Sequence, residues 1–409
     1  MEIKVNNRRL AGRVKVIESK SFAHRMMIAA ALAQAMTGEK TEIGLTGMSQ
    51  DMEATARTTE GLFAREKILD CGESGTTLRL LLPVIGALGL LPETVLTGRG
   101  RLMERPIQPL LQAMAPHGFQ VEQTEGRLVC KGQLKAGDYQ IAANVSSQYI
   151  SGLLLALPLL QGDSRLQLVG PVESRPYIDM TLNVLDQFGI SIEEKEEKEG
   201  KRGSFFIEGG QTYRSPGRMQ VEGDWSNAAF WLAAGAAGGG PVTVTGLNPE
   251  SVQGDRRICA ILQEMGADVL ESKGEITCSG NGLKGVSVDV RDIPDLVPVL
   301  AVLGAGAKGE TLLYNGARLR LKESDRIATT AALLRAIGAE VEEGEDFLRI
   351  WGKGGHLPGG VIDGAGDHRI VMSGAVAALF CDGPVTITGA EAVQKSYPDF
   401  FEERKALCQ

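Results

Sequence analysis

One pattern of elements recurs six times along the chain and limits the fold more than any other feature of the sequence. Each copy reads as a short strand, a polar turn, a helix of small residues, a strand resembling "TVTG", a second helix, and then a glycine and a strand. The copies lie at residues 18–45, 71–121, 145–192, 223–269, 291–341 and 366–393. Because helices and strands alternate within every copy, we predict an α/β fold of six βαβαββ-like repeats.

A domain boundary is predicted where the pattern is interrupted. The charged stretch at residues 192–203, read as a solvated hairpin, is followed by a Pro-Gly turn within residues 214–225. We therefore predict two domains with three repeats each, one formed by residues 19–221 and the other by residues 1–18 and 222–409. Active sites commonly lie in clefts between such halves.

The first repeat is shorter than the others. Repeats two to five have a strand after the second helix, whereas no such strand is readable between Asp51 and Gly72. We expect a hairpin to be missing there, leaving a trimmed sheet edge with local rather than catalytic consequences.

Composition excludes several classes of protein. The chain has 409 residues and a net charge of −8, which argues against a nucleic-acid binder. Its four histidines and six scattered cysteines form no metal-ligand or disulfide pattern. No apolar run has the length of a membrane span, and the first residues do not resemble a signal peptide. We predict a monomeric cytoplasmic protein without metal or organic cofactor, whose partners are small-molecule substrates and neither nucleic acid nor membrane.

Positive charge is nevertheless concentrated at helix starts. Ser324 is the predicted N-cap of a helix that includes Ile327 and Leu334, so Arg326 lies in its first turn, where the helix dipole opposes a cation unless an anion is nearby. Four predicted helix starts combine a capping residue with an arginine: Ser21 with Arg25, Ser74 with Arg79, Ser324 with Arg326, and Asp367 with Arg369. Such starts bind anions, which indicates polyanionic substrates.

The motifs "SKSFAHR", "SGTTLR", "RGRLMERPI", "SSQY", "SRPYID", "DIPDL", "LKESDRI", "GDHRIVM" and "KSYPDFF" occur in this order. In order and spacing the chain resembles the 3-phosphoshikimate 1-carboxyvinyltransferase (EPSP synthase) family over nearly its whole length. The resemblance implies transfer of the enolpyruvyl group of phosphoenolpyruvate to the 5-hydroxyl of shikimate 3-phosphate, with release of phosphate, in the shikimate pathway to chorismate and the aromatic amino acids. It also implies a two-domain inside-out α/β arrangement that closes around its substrates.

The resemblance also implies two sets of binding residues. Hydroxyl and amide donors with a few cations suit shikimate 3-phosphate, and the helix start at 146–148 supplies such donors. The predicted ligands of this acceptor are Lys20, Ser21, Arg25, Ser146, Ser147, Gln148, Ser174, Tyr177, Asp295 and Lys322. Arginine forks suit the carboxylate and phosphate of phosphoenolpyruvate. The predicted ligands of this donor are Lys20, Gly75, Arg101, Gln148, Arg326, Arg369 and Lys395.

The reaction needs groups that move protons. A proton must reach the methylene carbon of phosphoenolpyruvate, the attacking hydroxyl must lose one, and the new methyl group must lose one as phosphate leaves. Glu323 is the predicted carboxylate for the methylene side, the resemblance places Asp295 near the 5-hydroxyl, and Lys20 is a candidate proton shuttle. The sequence leaves open which group moves which proton.

One residue departs from the family pattern. Glu73 stands where the family commonly has asparagine, and a carboxylate there would repel phosphoenolpyruvate unless a cation such as Arg101 or Lys20 pairs with it. Gly75 matches the glycine that contacts glyphosate in the family, which implies a glyphosate target of undetermined sensitivity.

Two other functions compete with this one. UDP-N-acetylglucosamine 1-carboxyvinyltransferase uses a loop cysteine as an acid, but the corresponding loop at residues 97–109 has no cysteine, and Cys130 lies in a predicted strand. A non-catalytic repeat scaffold would need an extended basic face, which the net charge of −8 does not support.

Overall fold

The computed structural model describes residues 1–6, 9–124, 126–195, 203–238, 240–280 and 282–408. The chain forms two compact units. The discontinuous unit comprises residues 1–19 and 222–409, and the continuous unit comprises residues 20–221. Within the described ranges, no helix is both long enough and apolar enough to cross a membrane.

The elements follow one another in chain order. The discontinuous unit begins with β1 (Glu2–Val5) and β2 (Gly12–Lys15). The continuous unit then contains α1 (Lys20–Thr37), β3 (Glu42–Gly44), α2 (Gln50–Phe63), β4 (Ile68–Asp70), α3 (Gly75–Leu88), β5 (Glu93–Thr97), α4 (Gln108–Met114), β6 (Phe119–Thr124), β7 (Arg127–Gly132), β8 (Asp138–Ala142), α5 (Ser147–Ala156), β9 (Ser164–Val169), α6 (Arg175–Gln187), β10 (Glu193–Lys195), β11 (Ser204–Ile207) and β12 (Arg218–Gln220). The discontinuous unit resumes with α7 (Trp225–Ala236), β13 (Val242–Thr245), α8 (Ile258–Glu264), β14 (Asp268–Ser272), β15 (Glu275–Ser279), β16 (Ser287–Asp289), α9 (Val297–Gly306), β17 (Lys308–Tyr314), α10 (Arg326–Ala336), β18 (Glu340–Glu343), β19 (Leu348–Lys353), β20 (Gly360–Asp363), α11 (His368–Ala377), β21 (Val385–Thr388) and α12 (Phe400–Leu407).

The strands form six sheets in the described chain, and four of them share one topology. In each of these four, two parallel strands lie beside an antiparallel hairpin, with the orders β4-β5-β7-β6, β8-β9-β11-β10, β2-β13-β15-β14 and β16-β17-β19-β18. A fifth sheet has the order β20-β21-β1. The predicted α/β fold of repeated modules is thereby confirmed.

The strands that precede α1 and α7 are exchanged between the two units. β2 precedes α1 in the chain but pairs with β13, and β12 precedes α7 but pairs with β3. Each unit therefore contains the strand that precedes the first helix of the other unit in the chain.

The first repeat has only the two-stranded sheet β12-β3. The segment at residues 64–67 joins α2 directly to β4, whereas residues 115–137 join α4 to β8 and hold a hairpin. The predicted loss of a hairpin from the first repeat is therefore confirmed. The charged hairpin predicted at residues 192–203 consists of β10 and β11, and its turn at 196–202 lies outside the described residues.

The first helices of the repeats form the core of each unit. All residues of α7 and α9 are buried, and α3 is buried at nearly every position, as expected for helices that are apolar on all sides. In the continuous unit α3 packs against α5, and in the discontinuous unit α9 packs against α11. This packing fixes the helix starts, where most of the predicted site residues lie.

Candidate active site

Arg25 holds together the helix starts of the continuous unit. It is 1% exposed and donates from Nε to Thr181 Oγ1 at 2.7 Å and from Nη1 to the Ser21 carbonyl at 2.7 Å. Its Nη2 donates to the Tyr177 carbonyl at 2.9 Å and to Ser151 Oγ at 3.2 Å. Burial lowers the pKa of its guanidinium to about 10. Arg25 therefore positions α1 against α5 and α6.

Lys20 opens α1 and forms an ion pair with Asp51, with 2.7 Å between Nζ and Oδ2. Both side chains are 15% exposed. One turn further on, His24 Nδ1 lies 2.5 Å from Thr55 Oγ1. Burial, reinforced by Lys20, keeps the pKa of His24 well below its ordinary value, so the imidazole is neutral. Lys20 therefore provides the positive charge at this helix start without a second cation from the histidine.

The start of α5 is joined to α3 through side chains. Ser146 is the N-cap and accepts a bond from the Gln148 backbone amide at 3.3 Å, and the neighbouring Ser147 is buried. The Gln148 side chain accepts from Arg79 Nη1 at 2.9 Å and donates to Thr76 Oγ1 at 2.8 Å. Arg79, which the sequence grouped with anion-binding arginines, thus orients the Gln148 amide.

Ser174 precedes α6 in a left-handed conformation with φ of 53° and is 1% exposed. Positive φ is uncommon outside glycine and is often found at functional sites. Its carbonyl accepts from the Tyr177 backbone amide at 3.0 Å, and the Tyr177 side chain is half-buried. Both predicted acceptor ligands therefore lie on the turn that Arg25 holds.

Gly75 begins α3, and the half-buried Arg105 lies directly over it. A Cβ atom at Gly75 would be 2.5 Å from Arg105 Nη1, so any other residue would displace the guanidinium. Arg101, the predicted ligand, is instead 68% exposed and forms an ion pair with Glu104, with 3.5 Å between Nε and Oε2. In the continuous unit the structure thus brings Arg105, rather than Arg101, to the start of α3.

Arg326 is the centre of a buried charge cluster in the discontinuous unit. Its guanidinium is 2% exposed and donates to Asp295 at 2.6 Å, to Glu323 at 2.7 Å and to Asp367 at 2.8 Å. Burial alone would lower the pKa of Arg326, but the three carboxylates hold it well above its ordinary value. The anion expected beside this arginine is therefore supplied by the protein's own side chains.

The N-cap of α10 differs from the predicted one. Asp325 is the N-cap, and its carboxylate accepts from the Ala328 amide at 3.1 Å. The prediction of Ser324 was wrong because its hydroxyl donates to Asp367 Oδ2 at 3.0 Å. Serine and aspartate are equally good N-caps, so the sequence alone could not separate them.

Arg369 has donors available within the same cluster. Its amide donates to Asp367 at 2.9 Å, its Nη2 donates to Asp295 at 3.3 Å, and its guanidinium lies 5.9 Å from the centre of the Phe230 ring. Its Nε and Nη1 are buried and have no hydrogen-bond partner among the described residues. A buried guanidinium with two such donors can bind an anion.

Two lysines complete the set in this unit. Lys322 Nζ lies 3.6 Å from Asp295 Oδ1, and burial lowers the pKa of the ammonium to about 8, although the aspartate opposes this shift. Burial alone would raise the pKa of Asp295, but Lys322 and Arg369 help to hold it well below its ordinary value. Lys395 is half-buried and donates to the Gly366 carbonyl at 3.0 Å.

The family model of EPSP synthase (3-phosphoshikimate 1-carboxyvinyltransferase) matches residues 5–403 of this chain. The chain belongs to the EPSP synthase family. The resemblance noted in the sequence is thereby confirmed, and it is favoured over both alternatives.

Individual members of the EPSP synthase family agree. The 3-phosphoshikimate 1-carboxyvinyltransferase of Clostridium kluyveri is 38% identical over 99% of this chain and 97% of its own length. That of Halobacterium salinarum is 40% identical over 98% of this chain and 97% of its own length. The EPSP synthase structure from Acinetobacter baumannii superposes with a TM-score of 0.80 at 28% identity and covers 100% of this chain and 98% of that chain. The enolpyruvyl transferase NikO from Streptomyces tendae, with a TM-score of 0.75 at 19% identity, shares the fold.

Two polar residues near the helix starts of the chain were not predicted from the sequence. Arg105 could have been found, because it lies within the motif "RGRLMERPI" used to identify the family. No motif or spacing in the sequence indicated Asp255. It is buried, accepts a bond from Ser226 through Oδ2, and has no partner for Oδ1 among the described residues. Burial, with repulsion from Asp295, raises the pKa of Asp255 to about 7.

Glu73, the departure from the EPSP synthase pattern, is exposed. Its carboxylate packs against Gly100 in the loop that precedes Arg101. A Cβ atom on Gly100 would lie 3.1 Å from this carboxylate, so the glycine allows the close approach.

Proposed function

We propose that this chain transfers the enolpyruvyl group of phosphoenolpyruvate to the 5-hydroxyl of shikimate 3-phosphate, forming 5-enolpyruvylshikimate 3-phosphate and phosphate. The observation that carries the proposal is the cluster of the buried Arg326 and Arg369 with the half-buried Asp295 and Lys322, in a chain that matches the EPSP synthase family over residues 5–403. Such a cluster combines anion-binding forks with a carboxylate and an amine that can exchange protons. We propose that the two units are the functional domains and that the enzyme is cytoplasmic.

We propose that hydroxyl, amide and cationic side chains bind shikimate 3-phosphate. The proposed ligands are Lys20, Ser21, Arg25, Ser146, Ser147, Gln148, Ser174, Tyr177, Asp295 and Lys322. Arg25 donates to four protein oxygens. Its main contribution is therefore to position the turn bearing Ser174 and Tyr177.

The proposed donor site contains arginine side chains, which can donate two parallel hydrogen bonds to one anion, and lysine side chains, which carry a single ammonium charge. We assign phosphoenolpyruvate to Lys20, Gly75, Gln148, Arg326, Arg369 and Lys395, and to an arginine of the loop after β5. The position of Arg105 over Gly75 favours Arg105 for this role over the exposed Arg101. Planar guanidinium groups match the carboxylate and phosphate of this substrate.

Binding of the donor substrate would also prepare Asp295 as a base. Asp295 is paired with Arg326 and Arg369, and paired cations make a carboxylate a weak base. When a substrate anion takes over donors of these arginines, the carboxylate loses part of this stabilisation and its pKa rises. Asp295 then accepts the proton of the 5-hydroxyl, while Glu323 and Lys20 remain the candidates for delivering a proton to the methylene carbon and removing one from the methyl group.

The proposal is tested by measuring phosphate release from phosphoenolpyruvate with two acceptors. Turnover is expected with shikimate 3-phosphate, with a product in which the enolpyruvyl group replaces the hydrogen of the 5-hydroxyl, so that its mass exceeds that of the acceptor by the mass of this group less one hydrogen. No turnover is expected with UDP-N-acetylglucosamine. Turnover with the sugar nucleotide alone would assign the chain to the other transferase activity, and turnover with neither acceptor would refute the proposal.

The lowered pKa of the half-buried Lys322 ammonium predicts a pH limit on acceptor use. Its pKa of about 8 means that the positive charge is present below pH 8 and is lost as the pH rises through this value. We therefore expect kcat/KM for shikimate 3-phosphate to fall above about pH 8, because this parameter reports ionisations of the free enzyme. In the Lys322→Arg variant this fall of kcat/KM at high pH should disappear, because arginine stays charged. If the variant shows the same fall, the ionisation belongs to another group.

A further inference from the structure

Two buried polar side chains of the discontinuous unit have atoms without a hydrogen-bond partner among the described residues. Asp255 lies in the short 3₁₀ helix Gly254–Arg257 and is 4% exposed. Its Oδ2 accepts a hydrogen bond from the Ser226 hydroxyl, whereas its Oδ1 has no partner in the described part of the chain. Arg369 is also 4% exposed, and its Nε and Nη1 likewise have none there. Buried polar atoms are rarely left unpaired, so these three atoms indicate a missing ligand or proton.

Both side chains lie against the same face of α7. Ser226, the partner of Asp255, is in the first turn of this helix, and Phe230, whose ring centre lies 5.9 Å from the Arg369 guanidinium, follows one turn later. Residues four positions apart are neighbours on a helix surface, with about 5–6 Å between their Cβ atoms. The carboxyl group of Asp255 is therefore close to the guanidinium of Arg369, and their charges interact.

The two side chains are neighbours but do not form a hydrogen bond with each other. Nη2 of Arg369 donates to Asp295 at 3.3 Å, and neither Nε nor Nη1 donates to Oδ1 of Asp255. An ionised carboxylate buried beside an arginine is normally stabilised by hydrogen bonds from the guanidinium. The arrangement therefore suits a carboxyl group that can be neutral, and it leaves Nε and Nη1 to a different anion. Arg369 is one of the residues that we assign to phosphoenolpyruvate.

The charges that surround Asp255 favour its neutral form. Asp295, close to the start of α9, and Asp224, the N-cap of α7, both repel the ionised carboxylate, and Arg369 attracts it. Burial, with repulsion from Asp295, gives Asp255 a pKa of about 7. The carboxyl group therefore exchanges between its two forms near neutral pH. The other ionisable residues of its 3₁₀ helix and of α8, which packs against it, are exposed or half-buried: Arg256, Arg257, Cys259 and Glu264.

We propose that Asp255 is a further residue of the donor site: it binds a proton from solvent when phosphoenolpyruvate binds Nε and Nη1 of Arg369, and its ionised form competes with this substrate for the arginine. The inference rests on the proposed function, because it takes phosphoenolpyruvate as the anion. The negative charge of the substrate adds to that of Asp224 and Asp295 and so favours the neutral form of Asp255. Because such coupling is reciprocal, the chain with a protonated Asp255 binds phosphoenolpyruvate more tightly than the chain with an ionised one.

The direction of the pH effect follows from this coupling. The pKa of Asp255 is about 7 without the substrate, and the substrate raises it. Affinity for phosphoenolpyruvate is therefore greatest below pH 7 and falls as the pH rises above this value, until the pKa of the complex is reached. About half of the Asp255 carboxyl groups are protonated at pH 7 and roughly one in thirty at pH 8.5. We expect the dissociation constant of phosphoenolpyruvate to rise at least threefold between these two pH values.

The test is calorimetric titration of the purified full chain with phosphoenolpyruvate at pH 7 and at pH 8.5, which does not depend on turnover. Asp255→Asn should bind phosphoenolpyruvate at least threefold more tightly than the wild type at pH 8.5, because its amide stays neutral. At pH 7 the two chains should differ less than threefold. Replacing a residue with a merely structural role would weaken binding instead. Asp268→Asn is the matched control and should bind as the wild type does, because Asp268 is exposed on β14 of the same unit.

Two other ionisations are separated from that of Asp255 by the choice of chains. The substrate phosphate, with a second pKa of about 6, ionises identically with the wild type and the variants, so its effect cancels in their comparison. The Lys322 ammonium has a pKa of about 8. In Lys322→Arg this charge is permanent, and the loss of affinity between pH 7 and pH 8.5 should persist.

Each outcome decides the proposal. Equal wild-type affinity at both pH values, or an Asp255→Asn variant that binds no more tightly than the wild type at pH 8.5, would overturn it. If Asp255→Asn does not fold, titration of Lys322→Arg at pH 7.5 in two buffers with different ionisation enthalpies replaces it. More than about 0.3 proton should be taken up per phosphoenolpyruvate bound, and no uptake would contradict the proposal. A chain that binds phosphoenolpyruvate with this pH dependence but does not use shikimate 3-phosphate would refute the proposed function and leave this inference standing.

Discussion

Arg326→Ala is expected to lower the free energy of unfolding by about 3–5 kcal/mol, the usual effect of removing one partner from a buried ion pair. Arg326 pairs with Asp295, Glu323 and Asp367, and its removal takes the shared cation from all three carboxylates, although Asp295 keeps Lys322 and Arg369 as neighbours. Turnover should fall by more than the loss of folded protein explains, since the proposed donor site loses one of its forks. Of all single substitutions at the site, this one should have the largest effect.

The unfolding of the discontinuous unit can be followed by itself. All three tryptophans, Trp225, Trp231 and Trp351, lie in this unit, so their fluorescence in a urea titration reports its stability. Arg335→Ala is the matched control, because Arg335 is on the same helix, is 53% exposed and forms an exposed ion pair. It should change stability by less than about 1 kcal/mol. A loss below about 1 kcal/mol for Arg326→Ala would show that the three carboxylates need no buried counter-charge.

Arg369→Ala should weaken phosphoenolpyruvate binding at least tenfold and shikimate 3-phosphate binding less than threefold. Its buried Nε and Nη1 have no partner among the described residues and are the donors that we assign to the donor substrate. A hydrogen bond to a charged group contributes about 1.5–3 kcal/mol, which corresponds to a tenfold or larger change in affinity.

Calorimetric titration of each substrate measures this difference directly. The Arg335→Ala variant again serves as the control and should bind both substrates as the wild type does. If Arg369→Ala weakens both substrates equally, the arginine acts through the shape of the site as a whole, and its assignment as a fork for phosphoenolpyruvate fails.

The repeat architecture was predictable because it rests on local patterns. Each helix start has a capping residue, and each hairpin has its own alternation of apolar and polar residues. Six copies of these short-range signals therefore predict six sheets. The missing strand of the first repeat was visible for the same reason. The predicted domain boundaries placed residues 1–18 with 222–409, but the pairing of β2 with β13 and of β12 with β3 was not predicted, since nothing in a strand of three or four residues specifies its partner strand.

The charge cluster shows what a linear sequence leaves undetermined. The positive helix start at Arg326 was readable, but two of its carboxylates, Asp295 and Asp367, lie 31 and 41 residues away. Pairing over such distances depends on the tertiary fold. Likewise, Arg101 and Arg105 lie in one motif, and only the course of the loop determines which guanidinium reaches Gly75.

The strand exchange also affects how the protein is made. At a translation rate of about 5–20 residues per second, the ribosome finishes the continuous unit, including β12, on the order of tens of seconds after residues 1–19 emerge. During that time β2 has no partner, because β13 is not yet synthesised, and β1 waits longer still, since β21 begins at Val385. β2 therefore stays unpaired until β13 has been synthesised, and β1 until β21 has been synthesised, so these two sheets of the discontinuous unit are completed only after the whole continuous unit has been made.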